Sequence, residues 1–171
     1  MKALDDPWDR NRAEAALAIG EIFQTGQGRE EMAAAAAVLA QRMKDPASSV
    51  RARSAFALAW TGVPQAAPLL SEALADPSSE VRAGAARAVG VMVQRNRSAE
   101  LASAVLPALV KALQDEDRMT RLWAAQALGG FGRAGEPALN ALRAVSDDPE
   151  PVVRRAADQA ITSIIRAQSR E

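Results

Sequence analysis

Apolar residues in this chain recur at helical spacing behind a repeated acidic start. After Asp76-Pro77 they fall at Val81, Ala85, Ala88, Val89 and Met92, and the same register after Asp115-Glu116 holds Thr120, Ala124, Ala127, Leu128 and Phe131. These positions line one face of a helix with a period of about 3.6 residues. The register also begins at Asp6-Pro7, Asp45-Pro46 and Asp148-Pro149. Asp has a short acceptor side chain that caps free backbone N–H groups, and Pro at a first helical position loses no hydrogen bond. The pattern therefore predicts helices over roughly 8–24, 48–60, 79–93, 117–131 and 150–167. Partner helices are expected between them, at roughly 29–43, 64–75, 98–114 and 136–146. The joins are Gly26-Gln27-Gly28, Thr61-Gly62, Asn96-Arg97-Ser98 and Gly132 to Gly135, where Gly and Asn supply the left-handed conformation that ends a helix.

Each copy carries an Arg six residues after its Asp, namely Arg12, Arg51, Arg82, Arg121 and Arg154, and seven residues later Ile19, Leu58, Val89, Leu128 or Ile161. The copies are spaced by 31 to 39 residues, the range of solenoids whose units bury their apolar faces only against their neighbours. The Asp and Arg invite a catalytic reading, but one register held five times is what stacking demands. Such an Arg reaches the loop carbonyls or the Asp of an adjacent repeat and builds a ladder of multi-donor contacts. Pro68 and Pro107 each fall eight residues before a repeat Asp, inside predicted helices, where they are expected to kink the chain.

A mid-helix Pro, then Asp, then Val and Arg resembles the HEAT-repeat family. Pro68, Asp76, Val81 and Arg82 match throughout, and the copies at Asp45 and Asp148 keep Val50 and Val153 but lack the Pro. Thr120 and Asn11 depart from the Val of the pattern. The resemblance implies an all-α, right-handed α-α superhelix of about 4.5 HEAT-like helix pairs, with the second helix of each pair on the concave side. It extends to the short arrays of the phycobilin-lyase type. Residues 1–171 read as a single domain. Asn11, Asp158 and Thr162 put polar groups where internal repeats meet neighbours, as capping units do, so the chain reads as a whole array, with a fragment of a longer one as the alternative.

Composition narrows the function. Lys+Arg and Asp+Glu balance at 21 each, leaving no global field to draw the chain onto nucleic acid or an anionic membrane. The chain has no Cys, His or Tyr, which removes disulfides, thiolate zinc sites, imidazole bases and the common nucleophile pairs. No metal, no cofactor and no enzymatic activity are expected. The start lacks the apolar run of a signal peptide, so a cytoplasmic protein without membrane contact is the reading.

The helix positions that the packed face leaves over form a stripe on the second helices. Most of it is polar, as in Arg10, Glu14, Glu21, Ser49, Glu80 and Gln159, yet its middle carries Phe56, Trp60, Val91, Met119 and Trp123. Large aromatics left in water form a patch that proteins keep for a partner. The predicted contact surface is Arg53, Phe56, Trp60, Arg87, Met119, Trp123 and Gln126, gripping a protein or peptide segment in the concave groove, with Gly84 permitting close approach. Phe56 and Trp60 would instead be core if the register slipped by one. Trp8 reads as local packing over the first helix. The same patch would also suit a homo-oligomer. Two other classes compete. A small-ligand-binding HEAT protein has a precedent in the phycobilin lyases, against which stands the lack of Cys and His. Arg and Trp in a helical groove also resemble HEAT-like DNA glycosylases, but those are strongly basic and this chain is neutral.

Overall fold

Asp45 is the hinge on which the local structure turns, and it shows why the helices begin where they do. Its Oδ1 accepts the N–H of Ala47 at 3.0 Å, and the helix behind it starts at Ser48. Asp6, Asp76, Asp115 and Asp148 accept the N–H two residues on in the same way. The Asp thus closes a turn ahead of the helix, and the following Pro lies in that turn. Pro at the first helical position occurs at Pro151, two residues after the Asp148-Pro149 pair. The expected starts at 8, 48, 79, 117 and 150 are met within one residue; what is corrected is the role of the pair, since the Asp and the residue after it lie in the turn ahead of the helix and not at its cap and first position.

The computed structural model describes residues 2–25, 31–95 and 98–169. Its helices are α1 (Asp9–Gln24), α2 (Met32–Arg42), α3 (Ser48–Thr61), α4 (Ala66–Ala73), α5 (Ser79–Arg95), α6 (Ala99–Ala112), α7 (Arg118–Gly130), α8 (Leu139–Ala144) and α9 (Pro151–Gln168). Short 3-10 segments cover Lys2–Asp5 and Gly132–Ala138. The fold is an α-solenoid. Helices α1, α3, α5, α7 and α9 pack consecutively side by side in one layer, and α2, α4, α6 and the 3-10 segment before α8 form the second layer. A continuous apolar core runs between the layers from Leu4 and Ala16 to Ala160 and Ile164.

Several expectations meet corrections at the joins. Pro68 sits at the third residue of α4, where its missing N–H had no helical partner, so it imposes no kink. Pro107 lies in the interior of α6. The fourth partner helix splits into a 3-10 segment holding Pro137 and the six-residue α8. Gly62 and Gly132 adopt the expected left-handed backbone, with φ of 67° and 56°. The Gly26-Gln27-Gly28 join and Asn96-Arg97 lie outside the described residues. Trp8 is 71% exposed, so it is not the covered side chain expected from the sequence. Thr120, standing in a Val position, is fully buried, and its hydroxyl donates to Asp117 Oδ2 at 2.9 Å, which supplies the partner a buried hydroxyl needs.

Two features set the distance between consecutive repeats. The first is a ladder. The Nε and Nη2 atoms of Arg12, Arg51, Arg82 and Arg121 donate to both carboxylate oxygens of Asp45, Asp76, Asp115 and Asp148, at 2.7 to 3.0 Å. Each Nη1 turns back to the carbonyls of its own Asp and the residue after it, as Arg51 does to Asp45 and Pro46. Asp45 is 6% exposed and Arg82 9%, so these charges are tolerated through full pairing. Arg154 keeps only the backbone half, donating to Asp148 and Pro149. The second feature is a seam of small residues in the layer of α1, α3, α5, α7 and α9. A Cβ on Gly129 would lie 2.7 Å from Ala160 Cα, and one on Gly20 would lie 3.0 Å from Ala57 Cα.

Three outcomes follow from this packing. Arg82→Ala leaves the half-buried Asp115 without its guanidinium partner and should lower unfolding free energy by about 2–3 kcal/mol in urea titrations, whereas Arg154→Ala, which breaks no rung between repeats, should cost about 1 kcal/mol or less. Hydrogen bonds from Arg12, Arg51 and Arg121 hold the Asp45, Asp76 and Asp148 carboxyls below their usual range; burial raises Asp115, but bonds from Arg82 and the Asp117 N–H outweigh it and the result is again lowered. A folded-state value below the unfolded one contributes stability above the unfolded pKa, so the urea midpoint should hold down to about pH 4 and fall as pH drops further, as the rungs protonate. Finally, Gly129→Ala should destabilise by about 1–3 kcal/mol because backbone must move, while Gly90→Ala, whose Cβ would meet Ala127 at an ordinary 3.9 Å, should stabilise by up to about 1 kcal/mol through helix propensity in thermal melts.

Candidate aromatic and arginine surface on the second-helix layer

The layer of α1, α3, α5, α7 and α9 is closely packed because Gly and Ala stand where its helices meet, and larger residues of the same helices lie on its solvent face. Phe56 and Trp60 are one turn apart on α3 and meet edge to face, with ring centroids 6.3 Å apart and planes at 82°. Arg87 projects from α5 between α3 and α7. Its guanidinium carbon lies 4.6 Å from the Phe56 ring centroid and 5.3 Å from that of Trp123 on α7. Arg95, at the end of α5, lies 5.6 Å from the Trp60 ring. An unbroken series of stacked groups therefore crosses three repeats in the order Arg95, Trp60, Phe56, Arg87, Trp123. A cation over an aromatic face contributes about 0.5–2 kcal/mol, more as water is excluded.

The structure brings four of the expected residues, Phe56, Trp60, Arg87 and Trp123, into direct contact. Their rings are half-buried, not standing free in water, and this departs from the open aromatic face that the stripe suggested: the arginines lie over them. Met119 and Gln126 flank Trp123 one turn to either side on α7 and are exposed, Met119 by 38%. Arg53 stands apart from the series, paired with Glu14 across the α1–α3 seam at 3.3 Å. Glu80 accepts the Ser48 hydroxyl at 3.1 Å. Gly84 faces a neighbouring helix, where a Cβ would meet Ala52 at 3.5 Å. The indole N–H of Trp60 is buried without an acceptor among the described residues.

Sequence reasoning missed Arg95, Gln94 and Arg166. Each lies one turn beyond the end of the stripe as drawn, Arg95 four residues after Val91 and Arg166 three after Ser163, so extending the same helical spacing would have found them. Gln94, Gln126, Gln159, Ser163 and Arg166 line a hollow of about 620 Å³ between the carboxyl-terminal halves of α5, α7 and α9. Gly129, Gly130 and Gly132 form part of its lining. The groups on offer are guanidinium and carboxamide donors, carboxamide acceptors and apolar ring edges. Among the described residues no cluster of three or more His, Asp or Glu could hold a metal ion. No described helix is long and apolar enough to cross a membrane.

Comparison with known proteins agrees with this architecture. A designed armadillo repeat protein in complex with the peptide (KR)4 superposes with a TM-score of 0.74 at 24% identity, over 95% of this chain and 79% of that one. The complex of CpcE and CpcF of phycocyanin lyase from Nostoc sp. PCC7120 gives 0.77 at 22% identity, over 96% of this chain and 63% of that one. An engineered protein gives 0.71 at 21% identity, over 99% and 85%. No curated protein sequence matches. The family described as HEAT repeats matches at residues 1–90, 36–104 and 73–162, and with the Asp–Arg ladder joining its repeats the chain belongs to the HEAT-repeat family.

Proposed function

We propose that this chain is a non-enzymatic scaffold that holds a segment of a protein partner against the concave face formed by α1, α3, α5, α7 and α9. The observation that carries this reading is the stack of Phe56, Arg87 and Trp123 beside the hollow lined by Gln94, Gln126 and Gln159. Half-buried aromatics supply apolar contact area, and burying them further is favourable by about 25 cal/mol per Å². The carboxamides and the guanidinium orient what binds. Arg53, Met119 and Trp60 extend the surface toward its two ends. The designed armadillo repeat protein is in complex with a peptide and CpcE is in complex with CpcF, which makes polypeptide recognition a natural use of this shape.

The test is selection from a displayed peptide library on the immobilised protein, followed by affinity measurement on the selected peptides. They are expected to bind with micromolar constants, on the order of 8 kcal/mol, and to lose about tenfold or more against Trp123→Ala and against Met119→Ala, each with unchanged helical circular dichroism. Peptides that bind these variants as tightly as the parent chain would place recognition elsewhere and overturn the proposal.

A further inference from the structure

Cations and carboxylates are unevenly matched along the second-helix face. Arg53 is paired with Glu14 at 3.3 Å, and Arg118 with Glu150 at 3.6 Å. Arg87, Arg95 and Arg166 take part in no ion pair among the described residues. Two of these three guanidiniums are fixed against aromatic rings, and the third lines the hollow. A guanidinium resting over an aromatic ring still carries five N–H donors that can meet a planar acceptor. An arginine held in this way loses less side-chain freedom on binding than one in open water.

Resting on the scaffold reading above, we infer that the partner segment is acidic: a peptide whose Asp or Glu side chains place carboxylates on Arg87 and Arg166. Its apolar side chains lie against Trp123, Phe56 and Met119. The carboxamides of Gln94, Gln126 and Gln159 each offer donors and an acceptor, the same groups as a peptide bond, so they receive its main chain without reading its sequence. The charge is opposite in sign to the (KR)4 peptide held by the designed armadillo repeat protein of like fold. A nucleic acid would also bring anions and stacking groups. The peptide is favoured because the chain as a whole balances 21 basic against 21 acidic residues, and Glu14 and Glu80 share the face. A polyphosphate depends on extended positive potential, whereas a few carboxylates need only the local cations.

The composition of the selected peptides tests this separately from the scaffold reading. Peptides recovered on the parent chain should be enriched in Asp and Glu by about threefold or more over the unselected library, and their affinity should fall about tenfold on raising salt from low to high ionic strength. Selection on Arg87→Gln with Arg166→Gln should still yield Trp123-dependent peptides but without the acidic enrichment, with helical circular dichroism unchanged. Trp123-dependent peptides that are neutral or basic on the parent chain would overturn the acidic partner and leave the scaffold standing. Recovery of no Trp123-dependent peptide would overturn both. An alternating Glu-Leu octapeptide and oligothymidylate, compared by fluorescence anisotropy, complete the test: tighter binding of the oligonucleotide would overturn the inference in favour of nucleic acid.

Discussion

Everything in this fold depends on how one repeat is held to the next, and the bond that does it is the pair formed by an Arg of one unit with the Asp of the following one. An α-solenoid has no central core. Each unit must find its neighbour by a face that slides easily, since Ala against Ala or Gly gives apolar contact with little shape to fix the register. The guanidinium removes that freedom. Its Nη1 is tied to two carbonyls in its own loop, and its Nε and Nη2 take both oxygens of the next Asp. One side chain thus measures the distance between two turns. The same Asp accepts the N–H two residues ahead and shapes the turn into the next helix, so the register between repeats and the start of each helix are set by one carboxylate.

That double use explains what could be read from sequence and what could not. The Asp to Arg spacing of six residues, repeated five times, is local information, and it placed all five second helices within about three residues. The ladder was legible for the same reason. What the spacing does not encode is whether Asp sits in the helix or before it, and the Asp-Pro pair misleads because Pro suits both the turn and a first helical position. Pro68 misled in a related way: α4 is short, so a residue that looks interior lies in its first turn. Trp8 was read as packing because a Trp is expected to find cover, yet its side chain is largely exposed.

The site was legible as a stripe but not as a set of contacts. Helical spacing put Phe56, Trp60, Arg87, Met119, Trp123 and Gln126 on one face, and the structure keeps them there. Sequence treated Arg53 and Arg87 as equivalents. Their fates differ because the neighbouring helix presents a carboxylate to one, Glu14, and an aromatic ring to the other, Trp123. Which residue of the adjacent repeat lies opposite depends on the repeat-to-repeat register, and that register is fixed by the ladder and the Gly and Ala seam, not by the helix carrying the arginine. The distinction between a neutralised cation and an available one is therefore tertiary information.

The stacked arginines also resolve a tension in the face itself. Aromatic rings fully open to water would favour association with anything apolar, and rings fully sealed between repeats would offer a partner nothing. Arg87 lies over both Phe56 and Trp123 while its side chain remains exposed to solvent. The rings are shielded in the free protein, and the group that shields them is polar and selective. On the proposed reading, solvent exposure of the aromatics alone understates what this face can bind, because a partner would first meet the guanidinium that rests on them. A partner bound as proposed would meet the guanidinium and the parts of the half-buried rings that it leaves exposed.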